Sequence, residues 1–265
     1  MSGPRISIVT ISFNQARYLG EAIASVLDQG YDNLDYIVVD PGSTDGSRAI
    51  VESFGDRLTA VFEPDAGPAD GLNRGFARAT GEIFGFINAD DRLLPGALAK
   101  VAAHFADPAT DVICGNGVML DGDGRVTRPI YTSRFSLAAF AHGAMTFVQQ
   151  ANFFTAKAFE RAGGFNTANR TCWDAELLVD LALSGSRIVN VPDQLGAFRL
   201  YAETITGSGR LAEATRRDLA RIAEKALGRP PAAHDAVLRP LHRLLRQVQN
   251  PEATFEGVRA RLVRR

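Results

Sequence analysis

The chain has 265 residues, 46% hydrophobic and 22% charged, a balance that fits a globular core and excludes a largely disordered chain. Its formal net charge of −1 gives no global field for nucleic acid, and no segment has the roughly 18 uninterrupted apolar residues of a membrane span. Two cysteines, Cys114 and Cys172, exclude a disulfide framework and a cysteine zinc site, and both read as small buried hydrophobes.

Residues 1–5 run straight into a strand-like segment, which leaves no room for a signal peptide, so the expected location is cytoplasmic. Residues 6–12 (ISIVTIS) are β-branched and apolar, as a buried parallel strand should be. Tyr18, Leu19, Ala22, Ile23, Val26 and Leu27 follow at helical spacing. Residues 34–40 predict a second strand, 44–54 a helix, 58–63 a third strand, 69–79 a helix and 81–88 a fourth strand. A helix over 95–105 has proline in its first turn. This alternation predicts a parallel sheet covered on both faces.

The middle is less regular. Strands are expected over 111–120 and 126–131, joined by the turn Asp121-Gly-Asp-Gly124. A helix over 153–162 stops at Gly163-Gly164. Another helix covers 174–184, and a strand 187–191. From about Gly207 the composition shifts to charged helical patterns over 210–227, 237–248 and 255–263, broken at Pro230-Pro231. The expected organisation is therefore one domain over 1–206 and a helical extension over 207–265. Residues 229–265 carry eight arginines against three acids, an excess of five positive charges. That excess suits peripheral attachment to the inner face of an anionic membrane. A helical appendage packed on the domain or on a partner subunit is the simpler and favoured reading.

In an open parallel sheet, ligands gather at the carboxyl ends of the strands. Here those ends are Thr10-Ile-Ser-Phe-Asn14, Asp40-Pro-Gly-Ser-Thr-Asp45, Glu63-Pro-Asp-Ala-Gly67 and Asn88-Ala-Asp-Asp91. Turn chemistry explains any one of them; four polar ends together point to a site. Asp90 and Asp91 end an apolar strand and need a cation beside them. Either could instead cap the helix that starts near Pro95. No glycine-rich phosphate cradle follows the first strand. Acids beside an anionic ligand repel it unless a metal intervenes, which makes Mg²⁺ or Mn²⁺ the expected cofactor, with Asp90 its main protein ligand.

The ordered set of motifs resembles the inverting family-2 glycosyltransferases, which have the GT-A fold, an α/β, Rossmann-like, mostly parallel sheet flanked by helices. It comprises Ser7-Ile-Val-Thr-Ile-Ser-Phe-Asn14, Ile37-Val-Val-Asp-Pro-Gly-Ser-Thr-Asp-Gly46 and Asp65-Ala-Gly-Pro-Ala-Asp-Gly-Leu-Asn-Arg-Gly75. It continues with Ala79-Thr-Gly-Glu82, Asn88-Ala-Asp-Asp91, Gly163-Gly-Phe165 and Trp173-Asp-Ala-Glu-Leu177. The resemblance implies a nucleotide-diphosphate sugar donor, UDP-linked in the usual case, and a carbohydrate or lipid-linked acceptor. It places Thr10, Ser12, Asn14, Asp40, Asp65, Asp70, Asn73 and Asp90 around the nucleotide, with Asp90 as the last acid of the family's D-x-D. Two positions depart from the pattern: Asn88 stands where the motif has its first Asp, and Pro41 where Asp or Gly is usual.

Asp174 matches the family's catalytic base, which takes the acceptor's hydroxyl proton. Trp173, the only tryptophan, offers a ring to raise that carboxyl's pKa or to stack on a sugar. A plain helix N-cap is the other reading of Asp174. Glu176 is the second choice of base, and Asp91 and Gln150 are further candidate substrate contacts. His142 reads as an acceptor-loop contact or a structural histidine. Two other classes compete: a sugar-nucleotide pyrophosphorylase, which generally carries a basic glycine-rich loop that residues 10–18 lack, and a non-catalytic module that binds glycans or sugar nucleotides on the same fold. Donor sugar, acceptor and oligomeric state leave no sequence signal.

Overall fold

The structure, a computed structural model, describes residues 3–204, 211–249, 251, 254 and 255. The expected boundary at 206/207 and most of the helical pattern over 255–263 lie outside the described residues. In chain order the elements begin with β1 (Ile6–Ile11), α1 (Ala16–Leu27), β2 (Leu34–Val39), α2 (Ser47–Ser53), β3 (Thr59–Val61), α3 (Pro68–Phe76) and β4 (Ile83–Asn88). Next come β5 (Arg92–Leu93), α4 (Ala97–His104), β6 (Val112–Leu120), β7 (Val126–Ile130), α5 (Leu137–Ala141), β8 (Asn152–Thr155) and α6 (Ala156–Ala162). The last are α7 (Trp173–Leu183), β9 (Ile188–Arg199), α8 (Ala212–Leu227) and α9 (Asp235–Gln249).

The strands form one sheet in the order β3-β2-β1-β4-β8-β6-β9-β5, with β7 beside β6. β1 to β4 are mutually parallel, and two antiparallel steps through β8 bring β6 and β9 back to the same direction. Only β5, β7 and β8 run the other way. The carboxyl ends of β1, β2, β3 and β4 therefore lie along one edge of the sheet.

Side-chain alternation sorts the core into two layers. Ile6 and Ile8 of β1 pack with Leu19 and Ile23 of α1 and Leu98 and Val101 of α4. Val9 faces the other way, toward Leu72 and Phe76 of α3 and Trp173 and Leu177 of α7. Each such aliphatic side chain stabilises the fold by about 1.5–3 kcal/mol. On the second face Phe76, Phe84, Phe154, Phe159 and Phe165 form one aromatic cluster, with Phe76 and Phe84 stacked at 4.8 Å.

Two expectations change. Residues 153–162 are not one helix: Phe153 and Phe154 pair as β8 between β4 and β6, and Thr155 then caps α6 through Oγ1, 3.2 Å from the Ala158 N–H. The strand expected over 187–191 continues to Arg199, because bulges opposite Cys114 to Gly117 absorb Pro192 and Asp193. The charged α8 packs on the domain: Ile222 is buried against Ala175 and Val179 of α7 and packs with Leu137 and Phe140 of α5.

Candidate active site

The loops after β1 and β2 are tied together by polar side chains. Asn14 sits at φ +53°, a left-handed conformation that asparagine tolerates. Its N–H donates to Ser43 Oγ at 2.8 Å, and its Oδ1 accepts from the Thr44 N–H at 2.9 Å. Asp40 is buried at the end of β2 and holds this loop, accepting from the N–H groups of Gly42 and Ser43 and from Ser43 Oγ. Thr10 Oγ1 is hydrogen-bonded to Tyr36 at 2.9 Å. Ser12 Oγ is buried with no hydrogen-bond partner among the described residues.

The next acids line the start of α3. Asp65 Oδ1 accepts from the Gly67 N–H, and its Oδ2 lies where a Cβ on Gly71 would come within 2.6 Å, so a larger residue there would push the carboxylate aside. Burial, with help from nearby Asp70 and Asp40, raises the Asp65 pKa. Asp70 accepts from the Ala66 N–H and pairs with Arg74 at 3.0 Å, and both interactions lower its pKa. Asn73 clamps Phe165 by two bonds, from Nδ2 to the Phe165 carbonyl and from the Phe165 N–H to Oδ1. That clamp joins α3 to the loop ahead of α7. Arg170 closes it again, donating to the Ala66 carbonyl at 2.5 Å.

Asp90 and Asp91 do not cap a helix, because α4 starts only at Ala97, with Gly96 at its N-cap. Asp91 is buried and fully engaged. It accepts from the Arg199 N–H at 2.8 Å, Gln150 Nε2 at 2.5 Å and Asn88 Nδ2 at 3.0 Å. Burial, then the neighbouring Asp90 charge, pushes its pKa well up. Gln150 is thus a buried partner of Asp91. Arg199, itself buried, ion-pairs with neither carboxylate. Its Nε donates to the Asp90 carbonyl at 2.8 Å, its Nη2 pairs with Glu21 at 2.5 Å, and it lies 4.5 Å over the Tyr18 ring.

Asp90 is only partly buried, and among the described residues no lysine or arginine ion-pairs with it; its Oδ2 accepts from the neutral Tyr201 hydroxyl at 3.0 Å. Burial raises its pKa, offset in part by Tyr201 and by Arg199. Two residues earlier, at the end of β4, Asn88 Oδ1 is buried without a hydrogen-bond partner among the described residues. These are hard oxygen donors. Among the described residues no cluster of three or more His, Cys, Asp or Glu forms an all-protein metal cage. A carboxylate beside an amide oxygen fits a Mg²⁺ or Mn²⁺ ion that keeps most of its sphere for diphosphate and water.

The second acid pair opens α7. Cys172 occupies the N-cap and Trp173 the first position, so Asp174 lies inside the first turn and is not the cap. No side chain among the described residues bonds to its carboxylate. Burial lifts its pKa to about 6, against hydrogen bonds from the Ala175 N–H and its own N–H. Trp173 is buried in the second core layer. Glu176 has the opposite environment. It is buried and takes Arg221 at 2.8 Å, Lys225 at 2.7 Å, Asn166 at 2.8 Å and Asn169 at 2.7 Å. Burial pushes its pKa up, but these four donors outweigh it and hold it at about 2. A carboxylate so engaged anchors α8 to α7 and has no oxygen to offer as a base.

The chain resembles known proteins over most of its length. The family model for "Glycosyl transferase family 2" matches residues 7–171. The chain belongs to glycosyl transferase family 2. An uncharacterized glycosyltransferase of Mycobacterium tuberculosis is 32% identical over 187 residues, 69% of this chain and 70% of the relative. One from Nostoc is 35% identical over 128 residues, 44% of this chain but only 40% of the relative's length. Among solved structures, Staphylococcus aureus TarS 1-349 in complex with UDP-GlcNAc superposes with a TM-score of 0.68 at 18% identity, covering 93% of this chain and 74% of that one. The mannosyltransferase PcManGT of Pyrobaculum calidifontis, in complex with GDP-Man and Mn²⁺, gives 0.65 at 22% identity, covering 99% and 81%. The fold is the GT-A fold.

Sequence reasoning missed three groups of this family-2 site. Arg199 and Tyr201 follow Pro192-Asp193, which reads as a strand end; the apolar run from Leu195 to Phe198 was the available signal. Asp218 is the third. From α8 it accepts from the Arg170 N–H at 2.9 Å, the Thr171 N–H at 3.1 Å and Thr171 Oγ1 at 2.9 Å, and so fixes the turn that leads into Asp174. Nothing local in a charged helix marks such a residue.

Proposed function

We propose that this glycosyltransferase moves a sugar from a nucleotide-diphosphate donor, UDP-linked by analogy with the UDP-GlcNAc complex of TarS, to an acceptor hydroxyl with inversion. The observation that carries the reading is Asp174: a half-buried carboxylate without a side-chain partner among the described residues, its pKa lifted to about 6 at the start of α7. Such a group is ionised at neutral pH and still basic enough to accept a proton in the transition state. As the acceptor oxygen forms its bond to the anomeric carbon, its proton passes to Asp174. The anomeric carbon–oxygen bond breaks, and its electron pair leaves with the nucleoside diphosphate.

Asp90, with Asn88 beside it, would hold a divalent cation against the diphosphate. When bound, that ion supplies charge neutralisation for the leaving group. Asp40, Asp65, Asp70, Asn73, Asn14, Ser12 and Thr10 shape the nucleotide side by fixing the loops after β1, β2 and β3. Asn73 and Arg170 lock that side to the loop ahead of α7, so donor and base are held in one frame. A carbohydrate or lipid-linked acceptor of cell-surface polysaccharide synthesis suits this chemistry, at the inner face of a membrane. Inversion turns an α-linked donor into a β-linked product.

The test is a thermal-shift panel of nucleotide diphosphates and their sugars with Mn²⁺ and with EDTA. Ligands that bind only the native state raise the melting temperature. A metal-dependent rise for one nucleotide, lost in Asp90→Ala, is expected. No rise with any nucleotide would favour the binding-module class, and an α-linked product from an α-linked donor would overturn inversion.

A further inference from the structure

Of the ten large apolar side chains that are exposed among the described residues, six fall in α9 and just beyond: Val237, Leu241, Leu244, Leu245, Val248 and Phe255. Such clustering marks an interaction surface, whereas scattered exposed leucines do not. In α9 the spacing is regular. Positions 237, 241, 244 and 248 fall on one stripe of the helix.

A neighbouring face of the same helix is already fixed to the domain. His242 stacks on His142 at 4.9 Å, and Arg246 donates to the Ala144 carbonyl and to Thr146 Oγ1. Asp235 at the start of α9 is held by Arg229 at 2.7 Å. The helix is therefore pinned in place with its apolar stripe turned to solvent.

Charge decides between occupants. Within α9 the charged side chains are Arg239, Arg243 and Arg246 and the single acid Asp235, which is already paired. Arg239 and Arg243 are exposed on the polar side of the helix, about 130–170° round from the stripe at 100° per residue. The helix itself offers no free acid that a second copy could present to these arginines. An anionic bilayer accepts both features at once, leucines below the headgroups and guanidinium groups among the phosphates.

We infer that α9 is a surface-lying membrane helix that seats its Val237–Leu241–Leu244–Val248 stripe in an anionic lipid surface. α9 touches α5, and α5 packs with α7 and α8, so the helix lies on the flank of the domain that carries Asp174. The lipid surface is thereby set beside the base, where a lipid-linked acceptor would arrive. This siting of the acceptor rests on the proposed role of Asp174; lipid binding itself does not.

The test is co-sedimentation of the full chain with vesicles of phosphatidylcholine alone or mixed with phosphatidylglycerol, at low and high salt. The wild type should partition at least about tenfold better onto anionic vesicles, less so at high salt. Leu241→Glu/Leu244→Glu and, separately, Arg239→Gln/Arg243→Gln should each lower that partition by about tenfold or more. A melting temperature like that of the wild type would show each variant folded. Equal, background sedimentation with both lipids would overturn the inference. So would undiminished binding by both folded variants. A wild-type dimer that Leu241→Glu/Leu244→Glu converts to monomer, with no lipid binding by either, would assign the stripe to a second copy instead.

Discussion

Two pairs of acids frame the site, one at the end of β4 and one at the start of α7, and each pair divides its labour. Asp91 and Glu176 are buried and spend their oxygens on neighbours, while Asp90 and Asp174 keep theirs free of any cation. The engaged members nevertheless titrate in opposite directions. Asp91 is pushed up by burial and by the acid beside it, which its neutral hydrogen-bond donors do not offset. Glu176 is pulled down to about 2, because two of its partners are cations. Burial alone does not set a carboxylate's charge; the sign of what it is buried against does.

The comparison can be broken by exchanging single oxygens. The largest effect is expected at Asp174, where Asp174→Asn should lower kcat by about 10²–10⁴-fold, measured at saturating donor. Glu176→Gln should leave the chemistry largely intact but destabilise the fold by up to about 3 kcal/mol, read by urea unfolding, since two cations lose their anion. A catalytic loss at Glu176 as deep as that at Asp174 would erase the division of labour. Asp91→Asn should cost about 1–2 kcal/mol, because its new amide group must face another donor.

The smallest effect is in pH. The raised Asp174 contributes stability that is present below about pH 4 and lost as pH rises through about 6. The depressed Glu176 contributes stability that is present above about pH 4.5 and lost as pH falls toward 2. Asp174→Asn should remove the first slope from a melting-temperature profile and leave the second.

Much of this was legible in the sequence. β1 to β4 are short apolar strands whose polar ends stand out, and their parallel order puts those ends on one edge. The free acids, Asp90 and Asp174, were legible as well, each in a motif. What could not be read is which neighbour each acid would meet. Asp91 and Gln150 are 59 positions apart in the chain and Asp91 and Arg199 are 108 apart, and only the sheet order joins them. Glu176 looked like a second base because its partners, Arg221 and Lys225, lie in a helix whose charges read as solvated. Phe153 and Phe154 read as helix because the helical pattern of α6 follows without a break; their place between β4 and β6 is a tertiary fact.

The most direct test of the account is the pH dependence of kcat for sugar transfer by the wild type, at saturating donor, acceptor and Mn²⁺. The account predicts a plateau above neutrality and a fall of about tenfold per pH unit below about pH 6, as Asp174 takes up its proton. A profile that stays flat down to pH 4 would contradict Asp174 as the base.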